Sequence, residues 1–541
     1  MATYSHLTFR DEARAKLLKG ASELADAMRP TLGPESRSVL LEKRYGSPIV
    51  CDDGVTIAKR VNPRDPEENL GAQMLRDAAT ATSDAVGDGT TTATLLAHTM
   101  AAEGTRNVVA GTSGAGIRRG LERGLEVAVE ALRAGSRPVK DTIDTAHVAT
   151  VSAHGDTATG ELVAEAVELV GGEGVVDVED ARTTETTLEA VEGMQFDKGF
   201  LSPYFVTNAE RMRVELDEPL ILLHEKKISS MAPLVPLLEA ILQQSRPFVV
   251  IAEGVEGEAL ATLVVNKIRG VLSAAAVKAP GFGERRKATM TDIAVLTGGR
   301  VISEELGDKL ENVQLEDLGT AHRVVIDKDT TTIIGGAGDS AAVDARREEI
   351  RREIENTASD WDREKLEERL AKLSGGVAII HVGAMSEVEL ARRKELFDDA
   401  INSTKAAVAE GIVPGGGAAL IRIVDVVDRA AEQVSGAEKV GMQILSRALE
   451  EPCRQLARNA GVDEGVVVER LRAGSGFFGF DATTREYGDL EELGIIDPTK
   501  VVRLALSNAV SVAGTLLLTE ATLTDIEENE PAAVQPVPEM M

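Results

Sequence analysis

The sequence predicts a multidomain protein of α and α/β architecture, with helical segments at both chain ends and an α/β region inserted between them. Three observations carry this. A chain of 541 residues is too long for one core and divides into roughly three or four domains. Apolar residues recur at helical spacing up to about residue 134, and the texture turns helical again after Val382. Between about 192 and 375, β-rich runs alternate with helical stretches, as in an α/β domain.

The elements follow in order. Over 11–28, Leu17, Leu18, Ala21, Leu24 and Ala25 line one side of a helix that Pro30 ends. Thr31-Leu32-Gly33-Pro34 forms a turn, then 39–41 and 48–50 read as short strands around a turn at Gly46. Asp52-Asp53-Gly54 is a second turn leading into a helix. Past Gly135 strands appear, at 174–178, 220–223, 248–252, 274–277 and 323–326. The charged stretch 340–373 reads as a solvated helical hairpin, with Ser359-x-x-Asp362 as a helix cap. A strand over 377–382 and a long helix over 387–410 follow. The acidic, Pro-rich tail after Glu520 is expected to be disordered.

Composition excludes several classes. A net charge of −30 argues against binding nucleic acid or an anionic membrane surface. Two cysteines, Cys51 and Cys453, cannot build a disulfide framework or a Cys-rich zinc site, and fit reduced thiols in a cytoplasmic protein. The first ten residues lack a signal pattern, and no apolar run reaches the length of a membrane span. Aromatics make up only 3% of the chain, so the cores rest on Val, Leu, Ile and Ala.

Gly87-Asp88-Gly89-Thr90-Thr91-Thr92 precedes a helical stretch and combines permissive backbone, hydroxyl donors and a helix N-terminus. Asp88 would repel a bare phosphate, so a hard cation bridging it to phosphate oxygens suits the run. An ordinary capped turn is the alternative. The P-loop is excluded, because no Gly-Lys dipeptide occurs in the chain. Thr31-Leu32-Gly33-Pro34 and Gly415-Gly416-Gly417 are similar turn-to-helix junctions; the triple glycine also suits a hinge or tight packing. Asp53, Asp88, Asp399 and Asp497 lie in or near such segments and qualify for metal and water chemistry only if they converge. Gly474-Ser475-Gly476-Phe477-Phe478-Gly479 matches a dinucleotide fingerprint but lacks the strand before it and the helix after it. The seven histidines show no metal-ligand spacing. Phe196, Phe200, Tyr204 and Phe205 cluster, either as core or as an exposed binding surface.

Together, GDGTTTAT at 87–94, TLGP at 31–34, the glycines 415–417, DPTK at 497–500 and APGFG at 279–283 resemble the group I chaperonins, the GroEL family, over about residues 6–526. The resemblance implies an ATP-driven chaperone that captures unfolded polypeptides and folds them in a chamber closed by a co-chaperonin of the GroES family. It implies a homo-oligomer of two stacked seven-membered rings. The domains would be an equatorial ATPase domain (1–134 and 410–526), an intermediate hinge domain (135–191 and 376–409), an apical domain (192–375) and a disordered tail (527–541). ATP and Mg²⁺ are the implied cofactors, with K⁺ a further candidate. Thr31, Leu32, Gly33, Pro34, Asp88, Gly89, Thr90, Thr91 and Thr92 would hold the phosphates, with Asp88 on the metal. Gly416, Asp481, Ala482, Thr483 and Asp497 would contact the nucleoside. Asp399 would position the attacking water, with Asp53 beside it. Phe200, Tyr204, Phe205, Val235, Leu238, Leu260, Val264 and Val265 would form the polypeptide-binding rim. Asp52, Glu35 and Asp481 depart from the usual family residues and make the site more acidic.

Overall fold

A computed structural model describes residues 4–42, 48–171, 174–181, 183–209, 211–357 and 359–526. The chain forms two compact units, one from Met1–Ala164 with Glu395–Met541 and the other from Glu165–Lys394. It passes between them within the helices Thr157–Val170 and Glu387–Glu410. The expected turn at Gly46 and the tail 527–541 lie outside the described residues.

The first unit is mainly helical. Helix Arg10–Met28 lies against helix Pro66–Val86 through two glycines. A Cβ on Gly20 would sit 1.7 Å from the Glu68 carbonyl oxygen, and one on Gly71 would sit 1.9 Å from that of Leu17. Backbones can approach this closely only without side chains. Helix Thr499–Leu518 packs against helices Pro66–Val86, Thr90–Val109 and Gly114–Gly135. Contrary to the expectation from sequence, this helix is long and apolar enough to span a membrane, but most of it is buried within the helical unit. Leu506, Ala509, Val510 and Ala513 share a core there with Leu96, Met100, Ile117 and Leu121.

Two terminal strands are not foreseen by the sequence pattern. Tyr4–Phe9 pairs antiparallel with Ala521–Ile526, in a register running from Tyr4 opposite Ile526 to Phe9 opposite Ala521. Residues 521–526 are therefore ordered strand rather than disordered tail. Their partner lies at the other end of the chain, out of reach of local pattern.

The second unit contains an eight-stranded mixed sheet. Ala274–Lys278, Phe248–Val255 and Leu220–Ile228 run parallel, and Gly319–Ile326, Thr331–Gly336 and Gly193–Phe196 continue antiparallel. Helices Val235–Gln244 and Gly257–Ile268 connect the parallel strands. A smaller sheet centres on Val377–Val382, parallel to Val175–Asp180 and antiparallel to Thr187–Val191. The charged segment is a helical hairpin, Ser340–Asn356 and Asp360–Ser374, and Ser359 accepts from the Asp362 N–H as expected. Fully buried Asp292 lies 2.7 Å from Arg346 and 2.5 Å from Arg369, fastening both hairpin helices to helix Gly283–Thr297.

Candidate functional site

Helix Pro66–Val86 ends at Gly87, whose φ is 74°, and Gly89 at φ 81° precedes helix Thr90–Val109. These glycines answer first to packing. A Cβ on Gly87 would lie 2.5 Å from Asn402 Nδ2, and one on Gly89 would lie 2.7 Å from Val501 Cγ1. Close approach of the chain to itself therefore joins ligand approach as a reason for the motif.

Three turns converge here. Thr31 Oγ1 lies 3.4 Å from Thr91 Oγ1, and a Cβ on Gly54 would fall 2.6 Å from Thr90 Oγ1 and 2.8 Å from Thr91 Oγ1. The hydroxyls of 31 and 90–91 thus gather at one helix N-terminus, where N–H groups are free to meet an anion. Leu32 and Gly33 are half-buried beside them, and Pro34 is exposed.

The carboxylates assemble around this point. Asp53 caps helix Gly54–Arg60, accepting from Val55 N–H at 3.1 Å and Thr56 N–H at 2.6 Å. Asp88 Oδ1 accepts from the Gly89 N–H, and its Oδ2 lies 2.9 Å from Ser152 Oγ and 3.0 Å from Ser403 Oγ. Asp399 lies on helix Glu387–Glu410. Burial raises its carboxyl well above the usual range, and the carboxylates of Asp88, Asp53, Glu395 and Asp398 push it the same way. Residues separated by more than 300 positions thus lie near enough for their charges to act on one another. Ser152 and Ser403, which hold Asp88, carry no local sequence signal.

Asp497 sits on strand Ile496–Pro498 opposite Val413, and a Cβ on Gly415 would fall 3.1 Å from its Oδ1. Burial, then the charge of Asp88, push its carboxyl up to about 7. The three glycines differ in role. Gly415 is confined by the Ile495 carbonyl and Gly417 by the Cys453 backbone, whereas the nearest atom to a Cβ on Gly416 would be 3.5 Å away. Gly416 is the one left open to a ligand.

Asp481 is committed elsewhere. Its Oδ1 accepts from the Thr483 N–H and its Oδ2 from Thr484 Oγ1, both at 2.8 Å, closing the turn after strand Phe478–Asp481. Ala482 is buried and Thr483 exposed. The GxGxxG decoy follows helix Glu464–Ala473 and leads into this strand, the reverse of a dinucleotide site. Of the other acidic departures, Asp52 Oδ2 lies 3.8 Å from His154 Nδ1, and Glu35 is exposed.

The residues fit a phosphate-bound divalent cation. Among the described residues, no three carboxyl, imidazole or thiol groups converge to hold a metal by themselves. Yet, after burial, the carboxylates of Asp88 and Asp53 are the next influences disfavouring charge on Asp399, and a cation beside them would relieve that like-charge repulsion.

The residues expected to form the polypeptide-binding rim belong to the second unit. Tyr204 is 66% exposed, and Val235 and Val265 are also exposed. Phe200, Leu238, Leu260 and Val264 are half-buried against the core. Phe205 requires a correction. It is 0% exposed, inside the core with Phe196, because the 3₁₀ turn Pro203–Phe205 rotates each side chain about 120° from the one before, so that Tyr204 faces out and Phe205 in.

Residues 24–527 match the TCP-1/cpn60 chaperonin family. The chain is also 59% identical over 525 residues to Chaperonin GroEL 5 of Bradyrhizobium diazoefficiens, covering 97% of each chain. The chain belongs to the TCP-1/cpn60 chaperonin family, as a GroEL-type ATPase that promotes protein folding.

Proposed function

We propose that the turns at 31–34, 53–54 and 87–92 bind the phosphates of ATP, and that Asp399 activates the water that attacks them. The charges of Asp88 and Asp53 acting on buried Asp399, next to the gathered threonine hydroxyls, carry this reading. Asp88 would hold Mg²⁺, with K⁺ an accessory cation; the bound metal offsets charge on the phosphate oxygens. Ser152 and Ser403 fix the orientation of Asp88. The Asp399 carboxyl, with its raised proton affinity, suits taking a proton from water. Gly416, Asp497 and the 481–483 turn would face the nucleoside.

The resemblance further supports an equatorial, intermediate and apical division at the boundaries given above. It also supports two stacked seven-membered rings, a GroES-type lid and a cytoplasmic location. The exposed apolar residues Tyr204, Val235 and Val265, with half-buried Phe200, Leu238, Leu260 and Val264, would capture unfolded chains by burying apolar surface. Asp399→Asn tests the catalytic assignment. It is expected to retain Mg-ATP binding and lose at least about a hundredfold in steady-state hydrolysis. Hydrolysis at the wild-type rate would remove Asp399 from the mechanism. Negative-stain imaging with and without Mg-ATP and co-chaperonin tests the ring and its lid.

A further inference from the structure

Helix Glu451–Asn459 lies outside every motif above, yet its side chains are tied to the turn at 31–34. Arg29 sets the direction of the hydrogen bonds, because a guanidinium only donates. Its Nη1 lies 2.6 Å from Glu451 Oε1 and 3.1 Å from Gln455 Oε1, and Arg458 Nη1 reaches the same two oxygens at 2.8 and 3.3 Å. The Gln455 oxygen must face these donors, so its nitrogen faces Asn459 Oδ1, at 2.9 Å. That leaves Asn459 Nδ2 facing the loop, where it donates to the carbonyls of Arg29 at 3.0 Å and Leu32 at 2.8 Å.

The relay also reaches the threonine-bearing helix. Arg29 Nη2 donates to His98 Nδ1 at 3.2 Å, so Nε2 carries the imidazole hydrogen toward Ser22 Oγ at 3.0 Å. Ser22 in turn donates to the Leu18 carbonyl. His98 stands on the helix that begins at Thr90, and Arg29 stands two residues before Thr31. Below the loop, Gly33 has φ 88°, and a Cβ there would strike Leu456 at 2.2 Å.

We propose that Asn459, oriented by Gln455, is a positioning residue for ATP. Its two N–H groups fix the Arg29 and Leu32 carbonyls, and so fix the backbone that residues 31–34 present to the phosphates. This rests on the phosphate assignment of 31–34 made above.

The test measures Mg-ATP binding and turnover by the full-length assembled protein. Asn459→Asp preserves shape but removes both donors. Its Kd and KM for ATP should rise about tenfold, with kcat changed by less than about twofold. Gln455→Glu still accepts from both arginines but repels Asn459 Oδ1, so the Asn459 amide turns its oxygen toward the loop. It should reproduce the same rise while keeping a cooperative thermal transition, and it decides the matter if Asn459→Asp does not fold. Wild-type Kd and KM in the folded variants would overturn the proposal. Thr31→Val separates the two readings. If it alone weakens binding, the relay is rejected and the phosphate assignment stands; if it too binds normally, that assignment fails as well.

Discussion

His98 keeps its imidazole neutral well into the acid range. Burial, then the positive charge of Arg29, push it from the ordinary 6.5 down to about 4, against the weaker pull of Asp26 and Glu451. The sign of the consequence is fixed. Between about pH 4 and 6.5 the unfolded chain binds a proton that the folded chain refuses, so stability falls as pH falls through that window. The loss attributable to His98 is at most about 3 kcal/mol. His98→Gln keeps a donor and an acceptor but cannot titrate, so its urea midpoint should fall less between pH 7 and pH 4.5. Superimposable pH profiles would assign the acid loss to other groups. Residue roles are unevenly legible at this scale. Asp88 and Asp399 can be named as candidates from sequence because chemistry restricts which side chains hold metal or move protons. Phe205 cannot be placed that way, since a 3₁₀ turn decides which of two adjacent aromatics enters the core. Asn459 is invisible in the sequence because its partners are backbone carbonyls more than 400 positions away.

Among the elements, the contact between helices Arg10–Met28 and Pro66–Val86 sets the geometry of one wall of the site. Both helices end at proposed phosphate turns, at 29–31 and at Gly87. Gly71→Ala would force a methyl to within 1.9 Å of the Leu17 carbonyl oxygen and part the helices. Destabilisation of about 2 kcal/mol or more is expected, read as a lowered denaturant midpoint. Exposed Gly135, with nothing near its Cβ, supplies the control: Gly135→Ala should leave the midpoint nearly unchanged. Elements with local causes are the legible ones. Helix Glu387–Glu410 and the hairpin capped by Ser359 follow from spacing and capping within one segment. Strands Tyr4–Phe9 and Ala521–Ile526 depend on each other, and neither carries a local reason to be extended.

For the whole molecule, the two units differ in how the chain supplies them. Glu165–Lys394 is continuous, whereas the helical unit needs residues from both sides of that stretch. Ribosome-bound chains arrested just before helix Thr499–Leu518 should therefore show a protease-resistant 165–394 fragment, while residues 4–164 are still cut. Equal resistance of both segments at that length would refute this order.

The pairing of Tyr4–Phe9 with Ala521–Ile526 is then a statement about time as much as shape. At about 5–20 residues per second, the first strand waits roughly 30–100 s for its partner to be synthesised. Throughout that interval Ala21, Leu17, Leu24 and Met28 lack the late helix that completes their core. A protein whose family promotes folding thus spends its own synthesis unable to finish folding.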